Sequence, residues 1–303
     1  MLALSTAWYP KGRPGLAATL EAIARMGFQA VELGVTDSAP VRPKEAEKAL
    51  AEAGLKVVSI HNVCSARKLD PTNRRGDWLG SADEGQRRGG VEATAETIES
   101  ARALGARAVV LHIGSLPIPE KWEKQALLAA LARGRANAAV ELGVSREEIL
   151  AERTALAPAH LEAAARSLEE LLDKSAGVQL GIECRLGWHE LPNFDELRVL
   201  LARFPDPRLG YWHDVGHAAI LDWLGVVPED EWLLGAGART IGAHLHDVRG
   251  NDRDHYPPGL GELDFAPLLG QLPPDALRVM EISANFIEEE VALGKRRLEE
   301  LGF

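Results

Sequence analysis

Short β-branched runs recur eight times along this chain, with stretches of helical period between them. The runs are LALSTAW (2–8), QAVELGV (29–35), KVVSIHNV (56–63), ARAVVLHIG (106–114), VQLGIECR (178–185), LGYWHDVG (209–216), TIGAHLHDV (240–248) and LRVMEIS (277–283). In the intervening GLAATLEAIARMGF, apolar side chains fall at Leu16, Leu20, Ile23, Ala24 and Phe28, one face of a helix. Gly27, Gly54, Gly105 and Gly177 stand just ahead of strands, where left-handed helix caps are expected. Strands that alternate with helices run parallel, and eight such units in 303 residues predict a (β/α)8 TIM barrel, one domain over 1–303. A doubly wound open sheet would show a G-x-G-x-x-G turn after its first strand, and STAWYPKGRPG lacks that spacing.

Two segments exceed the repeat. Residues 64–88 follow the third strand as a polar loop, and residues 115–157 follow the fourth with an extra helical stretch. Both insertions are expected on the C-terminal rim of the barrel, where such loops cover active sites.

Composition narrows the partners. With 45 acidic against 34 basic residues the net charge is −11, a field that repels phosphate backbones, so no nucleic-acid partner is expected. The apolar runs fall well short of the ~18 residues that cross a bilayer. The N-terminus MLALSTAWYPKG also lacks a basic start and a small-residue cleavage site. The expectation is a cytoplasmic protein away from membranes, with a small-molecule substrate. Cys64 and Cys184 are too few and too far apart for a disulfide framework or a zinc knuckle, and read as ordinary buried thiols.

The strand ends carry the chemistry. Strands three to eight finish in turn on His61, His112, Glu183, Asp214, His244 and Glu281. Any one of these alone is an ordinary hydrogen-bonded strand end. Six at equivalent positions converge on one barrel mouth, where carboxylates and neutral imidazoles need something cationic between them. Three imidazoles and three carboxylates without a thiolate suit Mn²⁺, Zn²⁺, Co²⁺ or Fe²⁺ better than Ca²⁺. His213 should point away from Asp214 across the pleat, and His160 and His189 fall in helix or loop contexts.

Further polar residues surround these ends. Arg185 follows Glu183 with inward parity, Arg249 and Arg253 lie on the loop after strand seven, and Glu32 ends strand two. Each is a candidate to hold a substrate oxygen, with a solvated or structural role as the alternative. Trp8, Trp78, Trp188 and Trp212 fall at strand ends or rim loops, where sugar rings stack or cores pack. No glycine-rich phosphate cradle follows strand seven or eight, which weighs against a sugar phosphate.

In order and spacing, GFQAVELG, RALGARAVVLHIGS, HDVGHA, HLHD, PPGLGELDF and VMEIS resemble the xylose isomerase-like barrel superfamily of sugar isomerases, 3-epimerases, inosose dehydratases and endonuclease IV. The resemblance implies a metal held by Glu183, Asp214, His244 and Glu281, with His217 near the substrate. It also implies that His61, His112, His217 and His255 are candidates for a second metal or for substrate. The endonuclease branch uses a D-x-H pair on the strand-seven loop. In NDRDHYPPG the residue two before His255 is Arg253, so that pair is not expected here.

The activity implied is isomerisation or 3-epimerisation of a small sugar or related polyhydroxy carbonyl compound. Glu183 and Glu281 stand about 135° apart on an eight-strand ring and would exchange a substrate proton through a metal-stabilised enediolate. The cofactor is one divalent metal, Mn²⁺, Zn²⁺, Co²⁺ or Mg²⁺, with room for a second. Alternatives are an endonuclease IV-like phosphodiesterase and an inosose-type dehydratase. A homodimer or homotetramer is compatible with all three.

Overall fold

A computed structural model describes residues 1–9, 15–34, 43–62, 78–132, 144–250 and 253–303. Each of the eight apolar runs forms a strand: β1 Leu2–Ser5, β2 Ala30–Leu33, β3 Lys56–His61, β4 Ala108–Leu111, β5 Gln179–Glu183, β6 Leu209–Asp214, β7 Thr240–Leu245 and β8 Leu277–Met280. Every neighbouring pair is parallel, and β1 closes the ring by pairing with β8 (Leu2 opposite Arg278) and with β2 (Leu4 opposite Val31). The fold is thus a closed (β/α)8 TIM barrel.

Ten helices lie between or after the strands among the described residues. They are α1 Gly15–Arg25, α2 Pro43–Ala53, α3 Glu84–Leu104, α4 Lys121–Ala132, α5 Arg146–Leu172, α6 Phe194–Arg203, α7 Val215–Trp223, α8 Glu229–Ala236, α9 Ala266–Leu269 and α10 Glu288–Leu301. Gly27, Gly54, Gly105 and Gly177 take φ of 79°, 68°, 72° and 79°, the left-handed caps read from the sequence. Among the described residues no helix is long and apolar enough to cross a membrane.

Two helices start earlier than the loop readings placed them. Within 64–88, α3 begins at Glu84 because the Asp83 carboxylate accepts the Gln86 N–H at 2.8 Å. Within 115–157, α5 begins at Arg146 behind a Ser145–Glu148 capping box. Residues 63–77 and 133–143, with Cys64 among them, lie outside the described residues. On the rim, Gly114–Ser115 pairs with Glu190–Leu191, and Asp247–Arg249 with Arg253–Tyr256, as two antiparallel ribbons.

The lumen has its own core. Trp212 packs there with Ala3, Ala30, Ala108, Val110, Ile241 and Val279, apart from the larger cluster between strands and helices. Small residues on the surrounding strands make the room: a Cβ at Gly242 would overlap the Trp212 ring, and one at Gly181 would lie 3.1 Å from it. This plug floors the mouth, with the Trp212 ring edge-on to His244 at 5.2 Å.

Candidate active site

Pleat parity sends Trp212 and Asp214 into the barrel and Tyr211 and His213 outward. The His213 Nδ1 accordingly meets the Tyr211 hydroxyl at 2.8 Å, and burial lowers its pKa to about 4. The inward set gathers around Glu183. Its Oε1 lies 3.2 Å from His244 Nδ1 and 3.6 Å from His217 Nδ1. Its Oε2 lies 2.7 Å from His112 Nε2, 3.4 Å from His61 Nε2 and 3.7 Å from Arg185 Nη1. His244 Nδ1 also stands 3.1 Å from Glu281 Oε2 and 3.6 Å from Asp214 Oδ2.

Asp214 is positioned by the start of α7. Its Oδ1 caps that helix by accepting the His217 N–H at 2.8 Å, and the same oxygen lies 2.8 Å from His246 Nε2. The D-x-x-H spacing is therefore a cap that aims both side chains into the mouth. His246 Nδ1 accepts the His255 N–H at 2.9 Å, so its Nε2 carries the proton that it gives to Asp214. The His217 Nδ1–H is committed to the Cys184 carbonyl at 3.0 Å, which turns Nε2 toward Asp254 Oδ2 at 3.6 Å. His255 repeats the pattern: Nδ1 meets the Glu281 carbonyl at 3.0 Å, and Nε2 lies 3.5 Å from Asp254 Oδ2.

The donor set fits a divalent cation. Ring nitrogens and carboxylate oxygens of His61, Glu183, His244 and Glu281 lie within 4.8 Å of one another, as do those of Glu183, Asp214 and His217. Among the described residues, Asp214 Oδ2 and His217 Nε2 are buried without a hydrogen-bond partner. Arg185 Nη1 also approaches His112 Nε2, at 2.6 Å. Electron-rich atoms converging in a dry site need a positive charge between them.

Protonation shows the same demand. Burial alone would lower His61 and His217, but the Glu183 carboxylate outweighs it at His61 and the Asp214 charge at His217, raising each to about 9. Burial likewise opposes the anionic forms of Glu183, Asp214 and Glu281. The neighbouring imidazoles prevail, His112 first at Glu183, His217 at Asp214 and His244 at Glu281, and hold all three below the usual carboxylate range.

All six strand ends meet at the mouth. Arg185 joins them, buried and steadied by Glu190 Oε1 at 3.3 Å from its Nε. Arg249 and Arg253 are not brought into the cluster; they sit opposite each other on the exposed rim ribbon. Trp8 is wholly buried, its indole N–H on the Phe286 carbonyl at 3.0 Å, and Trp78, Trp188 and Trp212 are buried too. Glu32 lies beneath His244 rather than at the open mouth. His246, Asp254, Ser59 and Glu190 complete the site and were not singled out in the sequence. His246 had a signal, since it shares the inward parity of His244 two residues earlier; Asp254 comes close only because the rim ribbon folds back.

A closed parallel barrel with imidazoles and carboxylates gathered at its C-terminal mouth defines the class: a TIM barrel with a polar strand-end site. Residues 20–277 match the family described as the xylose isomerase-like TIM barrel, and the chain belongs to that family. Similar solved structures include a D-tagatose 3-epimerase-like protein, with TM-score 0.69 at 20% identity over 99% of this chain and 96% of the other. A 3-keto-D-glucoside 4-epimerase from E. coli has TM-score 0.66 at 16% identity, covering 99% and 98%. An L-ribulose 3-epimerase has TM-score 0.64 at 18% identity, covering 98% and 86%. No curated protein sequence matches the chain.

Proposed function

We propose that this barrel is a divalent-metal isomerase or epimerase of a small sugar or related polyhydroxy carbonyl compound. The observation that carries this reading is the nitrogen of His244 faced at 3.1–3.6 Å by oxygens of Glu183, Asp214 and Glu281, a ring of donors complementary to a cation. The epimerase names of the similar structures support it. When bound there, a divalent cation supplies Lewis-acid stabilisation of negative charge on substrate oxygens.

The chain's own residues move the proton. Glu281 is the carboxylate on the open side, with a side chain 12% exposed against 0% for Glu183, and it removes the proton next to the substrate carbonyl. Glu183 stands deeper and is held anionic, so it returns a proton at the other face only after taking one from the His61 imidazolium, 3.4 Å from its Oε2, while Glu281 passes its proton to solvent at the open side. His61, also partly open, and Arg185 orient substrate hydroxyls between them. The test is a panel of ketoses and aldoses followed by NMR in D₂O with added Mn²⁺, Co²⁺ or Mg²⁺. Deuterium should enter at the carbon beside the carbonyl of at least one of them; if every sugar stays unlabelled, the reading fails.

One observation favours a second reading, a metal phosphodiesterase. The Nε2 atoms of His217 and His255 both approach Asp254 Oδ2, at 3.6 and 3.5 Å, so a carboxylate stands near these imidazoles despite Arg253. The net charge of −11 opposes a polyanionic substrate. Elemental analysis separates the two: about one metal per chain supports the isomerase, and two or three support the phosphodiesterase.

A further inference from the structure

We propose that Glu32 is a positioning residue: it holds His244 through Nε2 so that only Nδ1 faces a divalent cation. This rests on the reading of the mouth as a metal centre. Glu32 ends β2, and β7, which carries His244, is three places round the ring, so the two side chains meet across the lumen. His244 Nε2 lies 3.1 Å from Glu32 Oε1 and 3.3 Å from Oε2, with both side chains 0% exposed. A carboxylate only accepts, so Nε2 carries a proton; Nδ1 is the atom turned toward Glu183, Asp214 and Glu281, and its own proton is the one a cation there would displace.

The clamp is built from several sides. Ser59, opposite Glu32 in the β2–β3 register, donates its hydroxyl to Glu32 Oε2 at 2.8 Å. The His61 ring stacks on His244 at 5.6 Å with planes 6° apart, and Trp212 meets it edge-on. A buried anion behind Nε2–H makes Nδ1 a stronger donor to a cation, a carboxylate–histidine pair of the kind that tunes metal sites.

The test is the Zn²⁺ affinity of wild type and Glu32→Gln, by competition with a chromophoric chelator, alongside the melting temperature of each metal-free protein. Gln keeps the shape but loses the charge and can present a donor to Nε2. Weakening of Zn²⁺ binding by about 10–100-fold is expected, beyond any change in metal-free melting. Binding within about threefold of wild type would overturn the proposal, even if the variant melts lower, because a purely structural carboxylate would behave that way. Failure of wild type itself to bind Zn²⁺ overturns the metal-centre reading instead, a distinguishable result. A second measurement needs no variant: long-range ¹H–¹⁵N correlation of Zn²⁺-loaded wild type should show His244 protonated at Nε2 and ligated at Nδ1, and ligation at Nε2 would overturn the assignment.

Discussion

At the scale of single residues, burial sets the roles. Glu281 is the carboxylate that combines contact with His244 and an opening to solvent, so Glu281→Gln should lower solvent deuterium exchange at the substrate α-carbon by about 10²–10⁴-fold, the worth of a general base. Exchange at the wild-type rate would remove it from the chemistry. His213, packed outside the barrel, makes a separate prediction. Burial lowers its pKa from 6.5 to about 4, so between those values the unfolded chain takes up a proton that the folded chain refuses. Its contribution to stability is full above pH 6.5 and is lost as the pH falls toward about 4. Urea midpoints across that window should fall in wild type and less steeply in His213→Gln; equal slopes would contradict the assignment. Its outward placement was legible, because side-chain alternation along a strand is a local rule.

Among elements, the loop after β7 depends on one side chain. Asp247 Oδ1 accepts N–H groups of Val248 at 2.9 Å and Leu263 at 3.0 Å, and Oδ2 accepts those of Gly259 at 2.7 Å and Gly261 at 2.9 Å. Asp247→Ala orphans four donors and should cost about 3 kcal/mol or more, with faster amide exchange at Gly259, Gly261 and Leu263. Unchanged protection there would show that the loop is held elsewhere. The strands and glycine caps were legible because periodicity and left-handed φ are properties of short segments. The start of α5 was also written, as S-x-x-E at Ser145–Glu148, and was hidden only by its place inside an insertion. The rim ribbon was not: Arg249 and Arg253 share a loop with His255 and Asp254, but pairing across the ribbon puts the arginines outside and Asp254 beside His217.

For the molecule as a whole, the mouth is a cost to the metal-free protein, since buried like charges and orphaned lone pairs oppose folding. Divalent cation should therefore stabilise the fold, by about 2.7 kcal/mol at a concentration a hundredfold above Kd, and a chelator should lower the melting temperature reversibly. A melting temperature indifferent to both would argue against a cation at this mouth. The alternation of strands with helices determined the barrel, and the residue that ends each strand determined which six groups meet, because both follow from local periods. Only the tertiary structure decided which nitrogen of each imidazole faces the centre. Ring orientation is set by partners from distant strands, as Glu32 and Ser59 set that of His244, and no local pattern records those pairings.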